Sequence, residues 1–246
     1  MPALWETCRL ATAIRPIAGD LWRLVESQEQ VATMQLVDSL EAQSLLEEML
    51  DAVKPPPPPG SEHLHYLFYT PFRYPPLQHG SRYGRRHEPS LFYGAHAPPT
   101  VLAESAYYRL VFWHGMQTPP PAPIRSEHTL FSARYATERG LQLQSGPCTA
   151  HRATLTHPAD YTATQALGSA MREANIEAFE YPSARCPAGG TNVALFTPAA
   201  FAAPRPLEMQ SWLCETSAEA ATFAQPQSRA LHRFPIDIFA VEGKLP

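Results

Sequence analysis

The residues best equipped for chemistry gather in one stretch, residues 71–109. It holds Arg73, Tyr74, Arg82, Arg85, Arg86, Tyr93 and Glu104 among glycines, prolines and aromatics, with Arg82, Tyr93 and Glu104 at equal steps along the chain. Guanidinium forks bind phosphate oxygens in pairs. A tyrosine offers a flat apolar face with a polar tip. A lone carboxylate can stabilise a cationic sugar in an oxocarbenium-like transition state. Together these types suit a phosphate ester that carries a flat ring on a breakable glycosidic bond. Each residue also has a plain structural reading. Glu104 follows the helix start APPT, where an acid is favoured by the dipole. Arg85 and Arg86, beside His87 and Glu88, read as a solvated cluster. Tyr93 reads as an ordinary strand aromatic, and Arg73 as an exposed strand-end arginine. Residue chemistry alone leaves both readings open.

The side chains need elements to position them. Residues 62–74 read as a strand ending at Arg73, with His63 and His65 on one face. Two histidines two apart can ligate a metal, but no third ligand follows at a matching spacing, so no metal is expected. Pro99 and Thr100 open the helix that carries Glu104. Short strands are expected over residues 129–135, 141–143 and 152–155. A helix capped by Asp160 follows, with Ala163, Leu167 and Met171 in its apolar stripe and Asn175 as its stop. A strand over residues 177–181 delivers Ser183 into a loop, and another covers residues 192–196. Ser183 follows a proline, as turn serines do, and no G-x-S-x-G elbow marks it as a hydrolase nucleophile. The tail from Glu208 is the least informative part, with one last strand over residues 234–241.

Upstream, residues 20–54 read as helical. Leu21, Leu24, Val25, Gln28 and Val31 form one stripe, and Asp38 with Glu41 resembles a capping box before Leu46, Met49, Leu50 and Val53. KPPPPPG then stops any helix. Residues 1–60 are therefore expected to be a helical N-terminal extension on a stiff polyproline spacer, and residues 61–246 the domain that carries the chemistry. The extension's acidic face reads as solvated; the alternative is a packing surface for a second copy of the chain.

Composition narrows the class. The 246 residues are 44% hydrophobic, enough for a sizeable core, and carry a net charge of −4, which gives no basic footprint for nucleic acid. Proline, at 27 residues, is about twice its usual share, which favours a loop-rich α+β chain. Glu6, Arg9 and Arg15 break up any signal-peptide core, and no run is long enough to span a bilayer. Cys8, Cys148, Cys186 and Cys214 form no C-x-x-C pair and read as reduced thiols of a cytoplasmic protein. The common nucleotide and zinc motifs are absent.

The same residues carry a resemblance. Phe72-Arg73-Tyr74, the turn Gly80-Ser81-Arg82-Tyr83-Gly84, Leu91-Phe92-Tyr93, Val101-Leu102-Ala103-Glu104 and, much later, Tyr181-Pro182-Ser183 follow one another as the motifs of a RES domain do. Ser81 and Gly84 depart from the glycine and asparagine of many members. The resemblance spans roughly residues 64–200. It implies an α+β fold like that of ADP-ribosyltransferase toxins, a split, mainly antiparallel sheet with flanking helices, around a cleft for NAD+ as substrate. It further implies the toxin of a toxin–antitoxin pair that breaks the nicotinamide–ribose bond, passing ADP-ribose to phosphate, water or a protein side chain. In that pattern Glu104 stabilises the charged ribose and Arg73 and Arg82 clamp phosphate oxygens. Tyr74 and Tyr93 pack on the nicotinamide side, and Ser183 orients substrate or Glu104. The implied partner is a small helical DNA-binding antitoxin, with Arg85 and Arg86 at the cleft mouth as its landing site. A non-enzymatic partner-binding module is the competing class.

Overall fold

The computed structural model describes residues 3–27, 37–74 and 77–246. Eight strands form one sheet: β1 (Arg15–Glu26), β2 (Phe92–Ala95), β3 (Ile124–Gln142), β4 (Ala178–Pro182), β5 (Thr191–Leu195), β6 (Glu208–Thr216), β7 (Ala220–Ala224) and β8 (Leu231–Pro235). Their order is β1-β2-β5-β4-β3-β6-β7-β8, with β1 also paired to β3. The first five strands thus close a ring of pairings, in which the β1–β2 link rests on Trp22 opposite Ala95. Every pairing is antiparallel except β3 with β4. The helices are α1 (Leu4–Thr7), α2 (Leu40–Ala52), α3 (Tyr66–Arg73), α4 (Pro98–His114), α5 (Arg152–Leu155) and α6 (Thr162–Glu173). The fold is α+β and mainly antiparallel, as the sequence implied.

Three expectations are corrected. The helical reading of residues 20–54 fails in its first part: Leu21, Leu24 and Val25 belong to β1, paired to β3 from Arg15 to Glu26. Its apolar residues Leu21, Trp22, Leu24 and Val25 break strict alternation and fall at helical spacing, so the run reads as a helical stripe. Gln28 and Val31 lie outside the described residues. The first sixty residues are therefore not a separate helical extension, since β1 is part of the ring. Only α2 is the helix expected there, and Ser39, not Asp38, accepts the Ala42 N–H at 3.1 Å as its cap. Residues 62–74 are not a strand either. His65 caps α3, its Nδ1 accepting the Leu67 N–H at 3.4 Å. Leu67 and Phe68 sit in the core with Phe92, Phe131 and Phe201. The aromatic run favours a strand by local propensity, and packing of one helical face overrides it. Finally, residues 129–135 and 141–142 are parts of the single long β3, and Arg152–Leu155 is a helical turn.

Other elements follow the sequence. Asn175, in the left-handed region at φ 53°, stops α6, and Asp160 accepts the Thr162 N–H at 2.8 Å at its start. Proline at its first positions sets up α4. Its buried Val101, Leu102, Ala106 and Leu110 pack against Leu130, Trp212 and Phe223 of the sheet. On the sheet around β4, Phe179 and Tyr181 pack with Tyr83, Leu155, Leu167 and Met171.

Candidate active site

Glu104 is the seventh residue of α4, beyond the first turn, where the helix dipole has faded. Its Oε1 accepts hydrogen bonds from Ser183 Oγ at 2.6 Å and Asn192 Nδ2 at 2.7 Å. Among the described residues Oε2 accepts none. Ser183 directly follows β4, where its hydroxyl also accepts the N–H groups of Arg185 at 3.2 Å and Cys186 at 3.1 Å. With its lone pairs so used, its proton can only point at Glu104. Asn192 lies opposite Tyr181 across β4 and β5, and its Oδ1 is buried without a partner. Both donors reach α4 because Gly190 lets the chain come close: a Cβ there would lie 2.3 Å from Thr100 Oγ1.

Arg82 and Tyr93 act on Tyr181 as Glu104 does. The turn holding Arg82 packs on α6 at Gly168, where a Cβ would meet the Tyr83 carbonyl oxygen at 2.0 Å. Arg82 is buried. Its Nη1 donates to the carbonyls of His157 at 2.9 Å and Leu155 at 3.3 Å, and its guanidinium lies 4.4 Å above the Tyr161 ring. The Tyr93 hydroxyl shares a 2.8 Å hydrogen bond with Ser81 Oγ and accepts the Tyr83 N–H at 3.2 Å. Burial raises its pKa, with the Ser81 bond opposing, so the phenol is neutral. The ring packs edge-on against Tyr181, centroids 6.4 Å apart. Burial pushes the Tyr181 phenol far up as well, and Glu104 adds to that while Arg82 opposes it.

A cavity of about 280 Å³ has Tyr93 in its wall. Its lining includes Arg23, Tyr74, Ser81, Arg85 and Tyr93, but not Glu104. Arg23 comes from β1, donates to the Tyr93 carbonyl at 2.6 Å and lies 4.7 Å over the Phe92 ring. Its Nε is buried without a partner. Burial lowers its pKa to about 10, which leaves it charged at neutral pH.

The structure thus brings Glu104 and Ser183 into contact, has Glu104, Arg82 and Tyr93 all act on Tyr181, and places Tyr74 with Tyr93 in the cavity. It does not bring Arg73 there: Arg73 ends α3, its Nε donates to the Pro55 carbonyl, and it does not line the cavity. Arg85 lines the rim, and its N–H donates to Glu88 at 2.7 Å. Sequence reasoning missed Arg23 and Asn192. Neither belongs to a local motif; strand register alone places them. Among the described residues no three His, Cys, Asp or Glu side chains gather as a metal centre would need, and no helix is long and apolar enough to cross a membrane.

These features define a class. The RES domain family matches residues 58–217, and the chain belongs to that family. Among solved structures, the chain is similar to one of the M. tuberculosis MbcT–MbcA toxin–antitoxin complex, at 10% identity and a TM-score of 0.49, covering 89% of this chain and 94% of that one. No curated protein matches the sequence.

Proposed function

We propose that this protein cleaves the nicotinamide–ribose bond of NAD+ and passes the ADP-ribose to phosphate or water. The observation that carries the reading is Glu104, held by Ser183 and Asn192 on one oxygen with the other open. The C–N bond breaks with its electron pair leaving on nicotinamide, a neutral group that needs no proton. The ribose is left cationic, and the Glu104 carboxylate stabilises that charge. The orphan Oδ1 of Asn192 suits a ribose hydroxyl. Arg82 and Arg23 suit phosphate oxygens, while Tyr74 and Tyr93, on one cavity, suit the nicotinamide side. Ser183 fixes the Glu104 rotamer. Phosphate or water then adds to the anomeric carbon.

In this reading the protein is a cytoplasmic toxin, consistent with its free cysteines, and a small helical DNA-binding antitoxin covers the cleft. Arg85 and Arg86, exposed at the rim, suit a carboxylate of that partner. The test is incubation with NAD+, with and without phosphate, following free nicotinamide and the ribosyl product. ADP-ribose phosphate in the phosphate arm, or ADP-ribose in both, is the expected result. Label transferred to a protein side chain would make the chain a protein ADP-ribosyltransferase. No nicotinamide in either arm would overturn the enzymatic reading in favour of a binding module.

A further inference from the structure

Two residues past Ser183, Arg185 is 95% buried, at 5% exposure. Its Nη2 donates to the Pro158 carbonyl at 2.5 Å and to the Tyr161 hydroxyl at 3.2 Å, and its guanidinium lies 3.5 Å over the Tyr107 ring. Arg82, at 8% exposure, sits over the face of the same Tyr161 and donates to the carbonyls of Leu155 and His157. Two buried guanidinium groups therefore lie on the face and at the tip of one tyrosine. Among the described residues neither has a carboxylate within ion-pair distance. Buried cations are ordinarily paired, because an uncompensated charge is costly. Here the acceptors are neutral carbonyls from a single segment, residues 155–158. Among the described residues the other guanidinium nitrogens of both arginines are neither hydrogen-bonded nor fully buried. The nearby Glu104 contributes one negative charge against two positive ones. Both its field and that of Arg82 act on Tyr107, the ring under Arg185.

We propose that Arg185, Tyr161 and Arg82 form a clasp for a phosphoryl oxyanion beside Glu104, in which the anion's oxygens replace the carbonyls of residues 155–158. Guanidinium forks match such oxygens in pairs. The Tyr161 hydroxyl accepts from Arg185, which leaves its own proton for the anion. The chemistry is the same whether the oxyanion is the diphosphate of NAD+ or a free phosphate. Only that choice of source rests on the function proposed above.

The competing explanation is a staple: Arg185 merely pins the 155–161 segment. Titration calorimetry on the full chain separates the two, with inorganic phosphate, pyrophosphate and ADP-ribose as probes at low and high salt. Wild type should bind at least one probe, more weakly as salt rises. Arg185→Gln should weaken that binding roughly tenfold or more, Arg185→Lys should recover part of it, and Tyr161→Phe should cost about two- to fivefold. Pyrophosphate and ADP-ribose binding without phosphate binding assigns the clasp to the substrate; phosphate binding alone assigns it to the acceptor. If Arg185→Gln does not fold, as circular dichroism would show, Arg185→Lys and Tyr161→Phe carry the test. No anion binding by wild type, or binding unchanged in the folded variants, overturns the clasp. Nicotinamide release measured alongside keeps the two proposals apart. Anion binding that depends on Arg185 in a protein that releases no nicotinamide would sink the NAD+ reading and leave the clasp standing.

Discussion

Two glutamates, one on the sheet and one on the helix packed against it, are treated in opposite ways. Glu180, on β4 next to Tyr181, is buried, and both its oxygens are used. Oε1 accepts from the Tyr135 hydroxyl at 2.9 Å, and Oε2 accepts from Gln144 at 2.6 Å and Gln142 at 3.0 Å. His96 stands 3.8 Å away, bonded through Tyr135. Glu104 receives two donors as well, but both fall on Oε1. A carboxylate with both oxygens answered by amides and a phenol is a structural group, its charge spread over fixed dipoles. One with an oxygen left over keeps charge available to a ligand. The difference lies in how the neighbouring strands aim their donors, not in the residue type.

The largest expected effect tests the open member. Glu104→Gln keeps the shape and both hydrogen bonds but removes the charge. Nicotinamide release should fall by roughly a hundred- to a thousandfold, with the melting temperature close to wild type. Near-normal release from the folded variant would remove Glu104 from the chemistry. The closed member should respond the other way. Glu180→Ala removes the shared acceptor of Tyr135, Gln142 and Gln144, and denaturant unfolding should show a loss on the order of 3 kcal/mol. Turnover per folded molecule should stay within about threefold, since the lost group makes no ligand contact. A stable Glu180→Ala protein without activity would mean that the comparison has the two roles reversed.

The surrounding cations sharpen the contrast, because Glu104 has guanidinium groups nearby where Glu180 has amides. Arg82→Ala should weaken NAD+ use by roughly ten- to a hundredfold, the usual cost of a charge-assisted contact. Arg82→Lys should restore only part, because a point charge lacks the fork. Full restoration would show that the position supplies charge and not geometry.

What could be read beforehand follows the same division between local and long-range signals. The Glu104 helix, the strand before Ser183 and the Asn175 stop carry their instructions within a few residues, as prolines, caps and apolar stripes. Ser183 donates to Glu104. Arg23 was hidden because β1 lacks the alternation that would mark a strand, its Leu21, Trp22, Leu24 and Val25 being spaced as on a helix. Asn192 was inside a correctly expected strand, but its role depends on register, which puts it opposite Tyr181 and beneath α4. Arg73 is the converse case: a good local match, Phe-Arg-Tyr, on a segment that packs as a helix.

That last case gives the smallest expected effect, and it compares two arginines where the first comparison used two glutamates. Arg73 ties the end of α3 to the polyproline segment through the Pro55 carbonyl. Arg23 comes from a strand of the ring, holds the Tyr93 carbonyl, lines the cavity and, among the described residues, has a buried Nε without a partner. If position in the fold decides the role, Arg73→Ala should change nicotinamide release by less than about twofold and cost only about 0.5–1.5 kcal/mol of stability, the worth of one ordinary hydrogen bond. Arg23→Gln, which keeps much of the bulk but loses the charge, should cost roughly tenfold or more in NAD+ use. Steady-state kinetics of the two variants side by side settle the matter. Loss of activity in Arg73→Ala to the level of Arg82→Ala would require α3 to swing toward the cavity when substrate binds. It would return Arg73 to the phosphate-clamping role that its sequence motif suggested.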